Sequence, residues 1–145
     1  HKPLSFEILD IDYFKQYNDR YGHQAGDDCV RAIVALIRQM ESDQIFCARY
    51  GGDEFVIIYS GMSAEEVCER AEKLRQDVMA LQIEQRYAEG SFGVTISQGI
   101  CHDIPSNGNK NWDFLHVADQ ALYRVKRRGR NRLCMTDIHG REIEV

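Results

Sequence analysis

The stretch QIFCARYGGDEFVIIYS, residues 44–60, joins two apolar, β-rich runs through a pair of glycines. Two glycines between such runs favour a β-hairpin, because both turn positions tolerate positive φ. We therefore predict two antiparallel strands joined by a two-residue turn at Gly51 and Gly52. This hairpin places Asp53 and Glu54 at its tip, where two adjacent carboxylates repel each other.

A further strand is predicted from LSFEILDID, residues 4–12, where apolar residues alternate at period two. One face of this strand carries Leu4, Phe6, Ile8 and Asp10, so three apolar side chains are followed by a carboxylate. If the strand lies beside the hairpin, the carboxylate of Asp10 meets those at the hairpin tip. Divalent cations would neutralise such a cluster, and carboxylate oxygens suit Mg²⁺, which often takes further ligands from phosphate. Spacing alone leaves open that the turn acids simply face solvent.

The remaining pattern alternates helices and strands. Predicted helices are one from Phe14 to Tyr21 capped by Asp12, one following Gly26, one behind the capping box SAEE (63–66), and one from Trp112 to about Arg128. Predicted strands are SFGVTISQGI (91–100) and a last hairpin from Leu133 to Val145, with a loop between residues 102 and 111. The order indicates an α/β domain with an at least partly antiparallel sheet.

Composition limits the class of protein. With 18 basic and 23 acidic residues among 145, the chain is mildly acidic, which argues against a protein that coats nucleic acid. The basic run RVKRRGRNR, residues 124–132, is either a local anion site or a solvated helix end. No apolar run approaches the ~18 residues of a membrane span, so we expect no membrane contact by this domain. The five cysteines are widely separated in sequence, which predicts free thiols and a domain in a reducing cytoplasm. The parent protein could still be anchored to a membrane by another segment.

Several motifs together resemble one family. RYGGDEF (49–55), DIDYFKQYNDRYGHQAGD (10–27), VTISQGI (94–100) and ADQALYRVKRRGRNR (118–132) are similar to motifs of the GGDEF family, the diguanylate cyclases that condense two GTP into cyclic di-GMP. The resemblance implies one catalytic domain over residues 1–145, without the helix that usually opens the family's domain. It also implies an α/β (α+β) fold with a central, mostly antiparallel five-stranded sheet flanked by helices, as in nucleotide cyclases and polymerase palms.

The resemblance implies a metal site for Mg²⁺ or Mn²⁺ at Asp10, the backbone carbonyl of Ile11, Asp53 and Glu54. Asp53 is then the residue that promotes deprotonation of the ribose 3′-hydroxyl, and Glu54 assists at the metals. Lys15 matches the lysine that contacts the triphosphate and offsets charge developing on it. A solvated lysine on the surface of a helix is the alternative for Lys15.

Asn18 and Asp27 match the residues that read guanine. An aspartate accepts from the N1–H and N2–H₂ edge of guanine, whereas adenine offers no such pair of donors, so Asp27 favours GTP. Both residues could instead be helix caps. Lys126 and Arg130 match basic residues that reach the phosphates, for which the bidentate fork of arginine is suited.

The two-fold symmetric product implies that two domains, each holding one GTP, must face each other in a homodimer. An N-terminal sensory domain is expected in the parent protein. The family's inhibitory product site uses an RxxD motif, but here Ser42 and Ile45 occupy the charged positions, so weak or absent feedback inhibition is predicted. The other functions left open are a catalytically silent GTP-binding regulatory module and a structural dimerisation domain.

Overall fold

A computed structural model of the chain describes residues 2–85, 93–106, 108–109 and 111–145. Its elements are, in order, β1 (Leu4–Ile11), α1 (Phe14–Tyr21), α2 (His23–Arg38), β2 (Ile45–Arg49), β3 (Glu54–Ser60), α3 (Ala64–Ala80), β4 (Ile96–Asp103), α4 (Asn111–Arg127) and β5 (Leu133–Thr136). The strands form one sheet in the order β2-β3-β1-β4-β5. All neighbours are antiparallel except β4 and β5, which are parallel. The predicted mostly antiparallel five-stranded sheet with flanking helices is confirmed.

The central strand β1 is buried on both faces. Phe6 and Ile8 pack in one cluster with Phe114 and Leu122 of α4. The residues of the opposite face of β1 join the larger core formed with α2 and α3, which includes Leu9, Ile11, Ile33, Val67 and Leu74. Burying each such side chain contributes about 1.5–3 kcal/mol. Strand β1 therefore lies between two layers of helices, and this packing fixes the position of its end.

A close approach between α4 and β4 occurs at Gly99. A Cβ at this position would lie 2.2 Å from the backbone nitrogen of Leu122 and 2.4 Å from the carbonyl oxygen of Ala118. Because these are backbone atoms of the helix, no side chain fits there without displacing α4. The close contact brings the end of α4, which carries Lys126, to the end of β1, where Lys126 forms an ion pair with Asp10.

The hairpin loop differs from the predicted two-residue turn. β2 ends at Arg49 and β3 begins at Glu54, and neither Gly51 nor Gly52 has a positive φ. The carbonyl oxygen of Glu54 accepts the N–H of Gly51 at 3.1 Å. The guanidinium of Arg49 donates to the carbonyl oxygens of Gly51 at 3.0 Å and Gly52 at 2.5 Å. The turn prediction was wrong because it considered the freedom of the glycines alone, whereas the Arg49 side chain stabilises a wider loop.

The start of α1 was predicted at the right residue but with the wrong cap. α1 begins at Phe14, and its N-cap is Tyr13, which has a φ of 56° and makes no side-chain capping bond. The carboxylate of Asp12 is instead directed to β4, where it accepts hydrogen bonds from Thr95 and Ser97. Two hydroxyls of a neighbouring strand compete with the helix for this carboxylate, and local sequence gives no sign of them.

α2 begins earlier than predicted. The helix starts at His23 after Gly22, whose φ of 91° separates α2 from α1. Gly26 and Asp27 therefore lie inside α2, and the alternative in which Asp27 caps this helix is wrong as well. Gly26 is a glycine because it packs against α1, where it lies directly beside Asn18.

The later elements agree with the prediction in most respects. The capping box at the start of α3 is confirmed, because Ser63 and Glu66 exchange side-chain to backbone hydrogen bonds of 3.1 Å. The predicted last hairpin is only partly formed. The segment after β5 pairs with it through a single antiparallel bridge between Thr136 and Glu142. The strand predicted over residues 91–100 is observed from Ile96 to Asp103, so it continues into the predicted loop, and Gly93, Val94 and Thr95 are not part of it. The other predicted positions Ser91, Phe92, Asn107 and Lys110 lie outside the described residues.

All five cysteines are free, as predicted, and Cys29, Cys101 and Cys134 are buried. Burial raises the pKa of the Cys29 thiol from 9.0 to about 11. Among the described residues, no helix is both long and apolar enough to cross a membrane.

Candidate active site

Of the carboxylates singled out in the sequence, Asp10 and Glu54 lie on adjacent strands, and Asp53 lies in the loop directly before β3. β1 and β3 pair antiparallel, with Asp10 opposite Glu54. The backbone N–H of Ile11 donates to the carbonyl oxygen of Asp53 at 3.2 Å, which extends the ladder to the loop. The condition set from the sequence, that this strand lies beside the hairpin, is thereby met. It follows that the tip of the hairpin and the end of β1 form one acidic site.

Asp10 is the most buried of the three acids predicted to hold the metal, with 6% of the residue exposed. Burial raises the pKa of its carboxyl from 3.8 to about 6. Lys126, which forms an ion pair with Oδ2, opposes this rise, while the charges of Asp12 and Asp53 add to it. The other oxygen, Oδ1, is buried, and none of the residues that the structure describes donates a hydrogen bond to it. A buried carboxylate oxygen without a donor is uncommon and costly, and it is therefore a functional candidate.

The residues of this site suit a divalent cation. Within the described ranges, no three His, Cys, Asp or Glu side chains lie together in a group that could hold a metal ion by themselves. However, the donor set consists of carboxylate and carbonyl oxygens, which Mg²⁺ and Mn²⁺ prefer. The buried Oδ1 of Asp10 has no other partner. In this structure the ammonium of Lys126 supplies positive charge on the Oδ2 side.

The predicted guanine-reading residues lie on the two helices that follow β1. Asn18 is on α1, and its Oδ1 is buried without a hydrogen-bond donor. Asp27 is exposed on α2, next to Gly26. A Cβ added to Gly26 would lie 1.8 Å from Oδ1 of Asn18 and 2.9 Å from its Cγ. The glycine therefore gives the Asn18 side chain the space for its present position against α2.

Substitution of Gly26 by alanine is expected to displace the Asn18 side chain. Alanine favours helices by about 1 kcal/mol over glycine, so any loss of stability would come from the steric contact. We expect the affinity for GTP to fall about tenfold, the size of one lost hydrogen bond to a buried group. Calorimetric titration with GTP and thermal unfolding measure the two effects.

The double variant Gly26→Ala/Asn18→Ala is the control for that experiment. Removing the Asn18 amide removes the steric contact, so thermal stability should recover while affinity for GTP stays low. Unchanged GTP affinity in Gly26→Ala would contradict the role of Asn18.

The three predicted phosphate contacts occupy different positions. Lys15 is exposed in the first turn of α1. Lys126 is half-buried on Asp10. Arg130 follows α4, with its Nη1 3.9 Å from Oδ1 of Asp12 and its guanidinium carbon 4.6 Å from the centroid of the Tyr13 ring. Lys126 and Arg130 thus border the end of β1, where the acids lie.

Two residues of this region were not assigned a site role from the sequence. Asp12 is 2% exposed and lies at the centre of a hydrogen-bond network that reaches the loop after α4. Arg49 binds the carbonyl oxygens of the GGDEF loop. The available signal for Asp12 was its position directly after a buried strand, and for Arg49 its position beside a glycine pair. Both signals are weak, because the partners of these side chains depend on the tertiary fold.

Comparison with known proteins gives a consistent result. The family model for "Diguanylate cyclase, GGDEF domain" matches residues 1–132. The chain is 37% identical to a diguanylate cyclase of Vibrio cholerae serotype O1, over 92% of this chain and 40% of the relative. It is 35% identical to the diguanylate cyclase DosC of Escherichia coli, over 90% of this chain and 28% of the relative. The chain thus spans less than half the length of these two curated relatives.

Solved structures agree with the sequence relatives. The GGDEF domain of DgcB from Caulobacter crescentus, in complex with c-di-GMP, matches with a TM-score of 0.81 and 34% identity, over 94% of this chain and 78% of that one. The GGEEF domain of a diguanylate cyclase from Vibrio cholerae matches with a TM-score of 0.75 and 35% identity, over 92% and 83%. Motifs, sheet order and relatives point the same way, and the chain belongs to the GGDEF domain family of diguanylate cyclases.

Proposed function

We propose that residues 1–145 form the catalytic domain of a diguanylate cyclase, which condenses two GTP into cyclic di-GMP and two pyrophosphates. The observation that carries the proposal is the placement of Asp10 opposite Glu54 on paired strands, with a buried Asp10 oxygen that no donor satisfies. The negative charges of Asp12 and Asp53 act against the ionised form of Asp10, and a metal–nucleotide complex would neutralise the carboxylates. Membership of the GGDEF family supports the guanine nucleotide as that ligand.

The metal would be Mg²⁺ or Mn²⁺, held by Asp10, Asp53, Glu54 and the backbone carbonyl of Ile11. When bound, the metal lowers the pKa of an attacking oxygen and offsets phosphate charge. The contribution of the chain is to hold these oxygens on two rigid, paired strands. Because β1 is packed on both faces, its terminal carboxylate has little freedom to move.

The reaction joins two nucleotides in two equivalent steps. In each step the 3′-hydroxyl oxygen of one GTP forms a bond to the α-phosphorus of the other, and the bond from that phosphorus to the pyrophosphate oxygen breaks. Asp53 receives the hydroxyl proton or orients the group that does. Lys15, which is exposed and next to the end of β1, would place its ammonium against the negative charge that develops on the triphosphate.

The nucleotide would be read at its two ends. Asn18 and Asp27 face the guanine edge, and the unsatisfied Oδ1 of Asn18 supports a ligand that carries N–H donors. Lys126 and Arg130 would bind the phosphates, with Lys126 exchanging its present partner Asp10 for a phosphate oxygen. The ion pair with Asp10 thus keeps the lysine close to the site.

Two copies of the domain must face each other for turnover. Each 3′-hydroxyl attacks the nucleotide held by the other domain, so a homodimer brings both reacting groups together. We expect a single domain to bind GTP and to make little product. The parent protein would carry an N-terminal sensory domain, in keeping with relatives that are much longer than this chain. The free buried thiols fit a cytoplasmic location for the domain.

Incubation with GTP and Mg²⁺, at a protein concentration high enough for pairing, tests the proposal. Chromatographic detection of cyclic di-GMP supports it. GTP that is bound but unchanged would indicate a catalytically silent regulatory module, and no binding would indicate a structural dimerisation domain.

Feedback inhibition by the product is expected to be weak or absent. The positions of the RxxD charges hold Ser42 and Ile45, which exchange backbone hydrogen bonds of 3.1 and 3.3 Å, and Ile45 is 3% exposed. Neither side chain can offer a charged partner to a phosphate or a guanine. Binding of cyclic di-GMP, measured by calorimetry with the GTP pocket blocked by a GTP analogue, should be undetectable at micromolar concentrations. Micromolar binding under these conditions would contradict the prediction.

A further inference from the structure

The loop after α4 has an unusual backbone. Gly129, Arg130 and Asn131 have consecutive φ values of 114°, 65° and 49°. Only glycine adopts this region freely, and side chains such as that of arginine disfavour it. Two adjacent residues other than glycine in the left-handed region persist only where surrounding contacts hold them, and such sites are often functional.

One of these contacts is the carboxylate of Asp12. Its Oδ2 accepts the backbone N–H of Asn131 at 3.1 Å and the hydroxyl of Thr95 at 2.7 Å, and its Oδ1 accepts the hydroxyl of Ser97 at 2.6 Å. The two hydroxyls fix the orientation of the carboxylate, and the carboxylate holds the loop backbone by a charge-assisted hydrogen bond. The loop is thereby attached to the end of β1.

A contact from a second element comes from α3. Nη1 of Arg75 donates to the carbonyl oxygen of Asn131 at 3.3 Å and to its Oδ1 at 2.9 Å. The same guanidinium donates to both carboxylate oxygens of Glu72, at 2.8 and 2.6 Å, which fixes its plane. Arg75 has 16% of its side chain exposed, so it is well ordered by packing. Asn131 is therefore held by its N–H on one side and by its carbonyl and side chain on the other.

This arrangement presents Arg130 to the acidic site. Its guanidinium lies over the Tyr13 ring, 4.6 Å from the centroid, and 3.9 Å from Asp12, which is too long for a hydrogen bond. In the described part of the chain this guanidinium donates no hydrogen bond to another residue, so its N–H groups are available to an anion. With both of its neighbours in the left-handed region, its direction depends on the backbone of the loop.

We propose that Asp12 and Arg75 are positioning residues, which hold Gly129–Asn131 in its left-handed conformation so that Arg130 meets the phosphates of the nucleotide. The proposal rests on the proposed function, since it takes a nucleoside triphosphate as the ligand of Arg130. Arg75 lies on α3, away from the paired acids, and acts through Asn131. Its effect on the nucleotide should therefore disappear when the Arg130 side chain is absent.

A double-mutant cycle tests this relation. The probe is 3′-deoxy-GTP with Mg²⁺, which binds without turnover because it lacks the attacking hydroxyl. We expect the affinity for 3′-deoxy-GTP to fall about tenfold in Arg130→Ala and about tenfold in Arg75→Ala, because each variant loses about one charge-assisted hydrogen bond to the nucleotide. The double variant should also lose about tenfold. A loss of about a hundredfold in the double variant, or none in Arg75→Ala, would overturn the proposal.

Amide hydrogen exchange gives a readout that needs no nucleotide. The N–H of Asn131 should exchange at least about tenfold faster in Arg75→Ala and in Asp12→Ala. The first variant loses the guanidinium that holds the carbonyl and side chain of Asn131, and the second loses the carboxylate that accepts its N–H. Unchanged exchange in both variants would overturn the proposal even if GTP binds normally. If the wild-type protein binds no 3′-deoxy-GTP, the proposed function fails, while the exchange result still reports on the loop.

The matched control is Lys73→Ala. Lys73 forms an ion pair of 2.7 Å with Asp77 on the same helix and has no hydrogen bond to the loop. Both readouts should remain at wild-type values in this variant. If Arg75→Ala does not fold, Arg75→Lys replaces it in the cycle, because a single ammonium keeps the charge but lacks the fork that joins Glu72 to Asn131.

Discussion

Replacing Asp53 by asparagine is expected to lower the rate of cyclic di-GMP synthesis on the order of 10³-fold, as for loss of a group that stabilises charge in the transition state. The amide keeps the size of the side chain and its half-buried position, but it loses the negative charge that binds metal and receives the proton. Backbone contacts of Asp53 with Ile11 do not involve the side chain, so the hairpin should remain folded. Product formation over time, with thermal unfolding in parallel, measures the effect.

Asp43→Asn is the matched control for that experiment. Asp43 is an exposed acid in the segment before β2, and its replacement makes the same change in net charge. This variant should synthesise cyclic di-GMP at the wild-type rate. If Asp53→Asn kept full synthesis, the assignment of the metal site would be wrong.

The second large effect concerns stability and depends on Glu7, an acid in the interior of the sheet. Glu7 is fully buried, and its carboxylate accepts hydrogen bonds from Tyr59 at 2.6 Å and Gln98 at 3.0 Å. Burial raises its pKa from the ordinary value of 4.5 to about 7, and these two hydrogen bonds oppose the rise. The sequence pattern of β1 does not predict this burial of Glu7, because the residue lies between the apolar neighbours Phe6 and Ile8.

Glu7→Gln is expected to stabilise the protein above pH 7. The folded state binds the proton of Glu7 more tightly than the unfolded state does. Protonation of Glu7 therefore adds to the free energy of unfolding, and this contribution is complete below about pH 4.5. This contribution is lost as the pH rises through about 7. The loss corresponds to about 3 kcal/mol of unfolding free energy. A glutamine does not ionise. Its side-chain oxygen can accept from Nε2 of Gln98, and its N–H can donate to the hydroxyl oxygen of Tyr59.

Urea unfolding of both proteins at pH 5 and pH 8 measures this difference. We expect similar unfolding free energies at pH 5 and an advantage of about 3 kcal/mol for Glu7→Gln at pH 8. Glu69→Gln, at an exposed position of α3, should show no such dependence on pH. A difference between wild type and Glu7→Gln that stays constant from pH 5 to pH 8 would contradict the raised pKa.

Local patterns were sufficient for most elements of the fold. Period two in β1, the apolar stripes of the helices and the capping box at Ser63 each depend on residues within a few positions of one another. The meeting of Asp10 with Glu54 was only conditional on the sequence, because nothing local shows that β1 pairs with the hairpin, and the pairing of β1 with β3 supplies it. The ordered motifs then identified the family, which no periodicity could have done.

Long-range contacts account for the errors. Asp12 was interpreted as a cap because its chain neighbours permit one, yet its partner Thr95 lies 83 positions away in sequence. Gly26 was interpreted as a helix start, yet it is a glycine because the Asn18 side chain occupies the space of its Cβ. The width of the hairpin loop depends on the side chain of Arg49, which no turn propensity describes.

Residue order along the chain was thus enough to predict most strands and helices, the family and the acids that could form a site, whereas the pairing of β1 with β3 brings Asp10 opposite Glu54. The orientation of those acids, the unsatisfied oxygens of Asp10 and Asn18, and the left-handed loop that presents Arg130 arise from packing between distant segments. The physical reason is that secondary structure depends on local propensity and periodicity. The charge, burial and direction of a side chain depend instead on whichever groups the folded chain brings beside it.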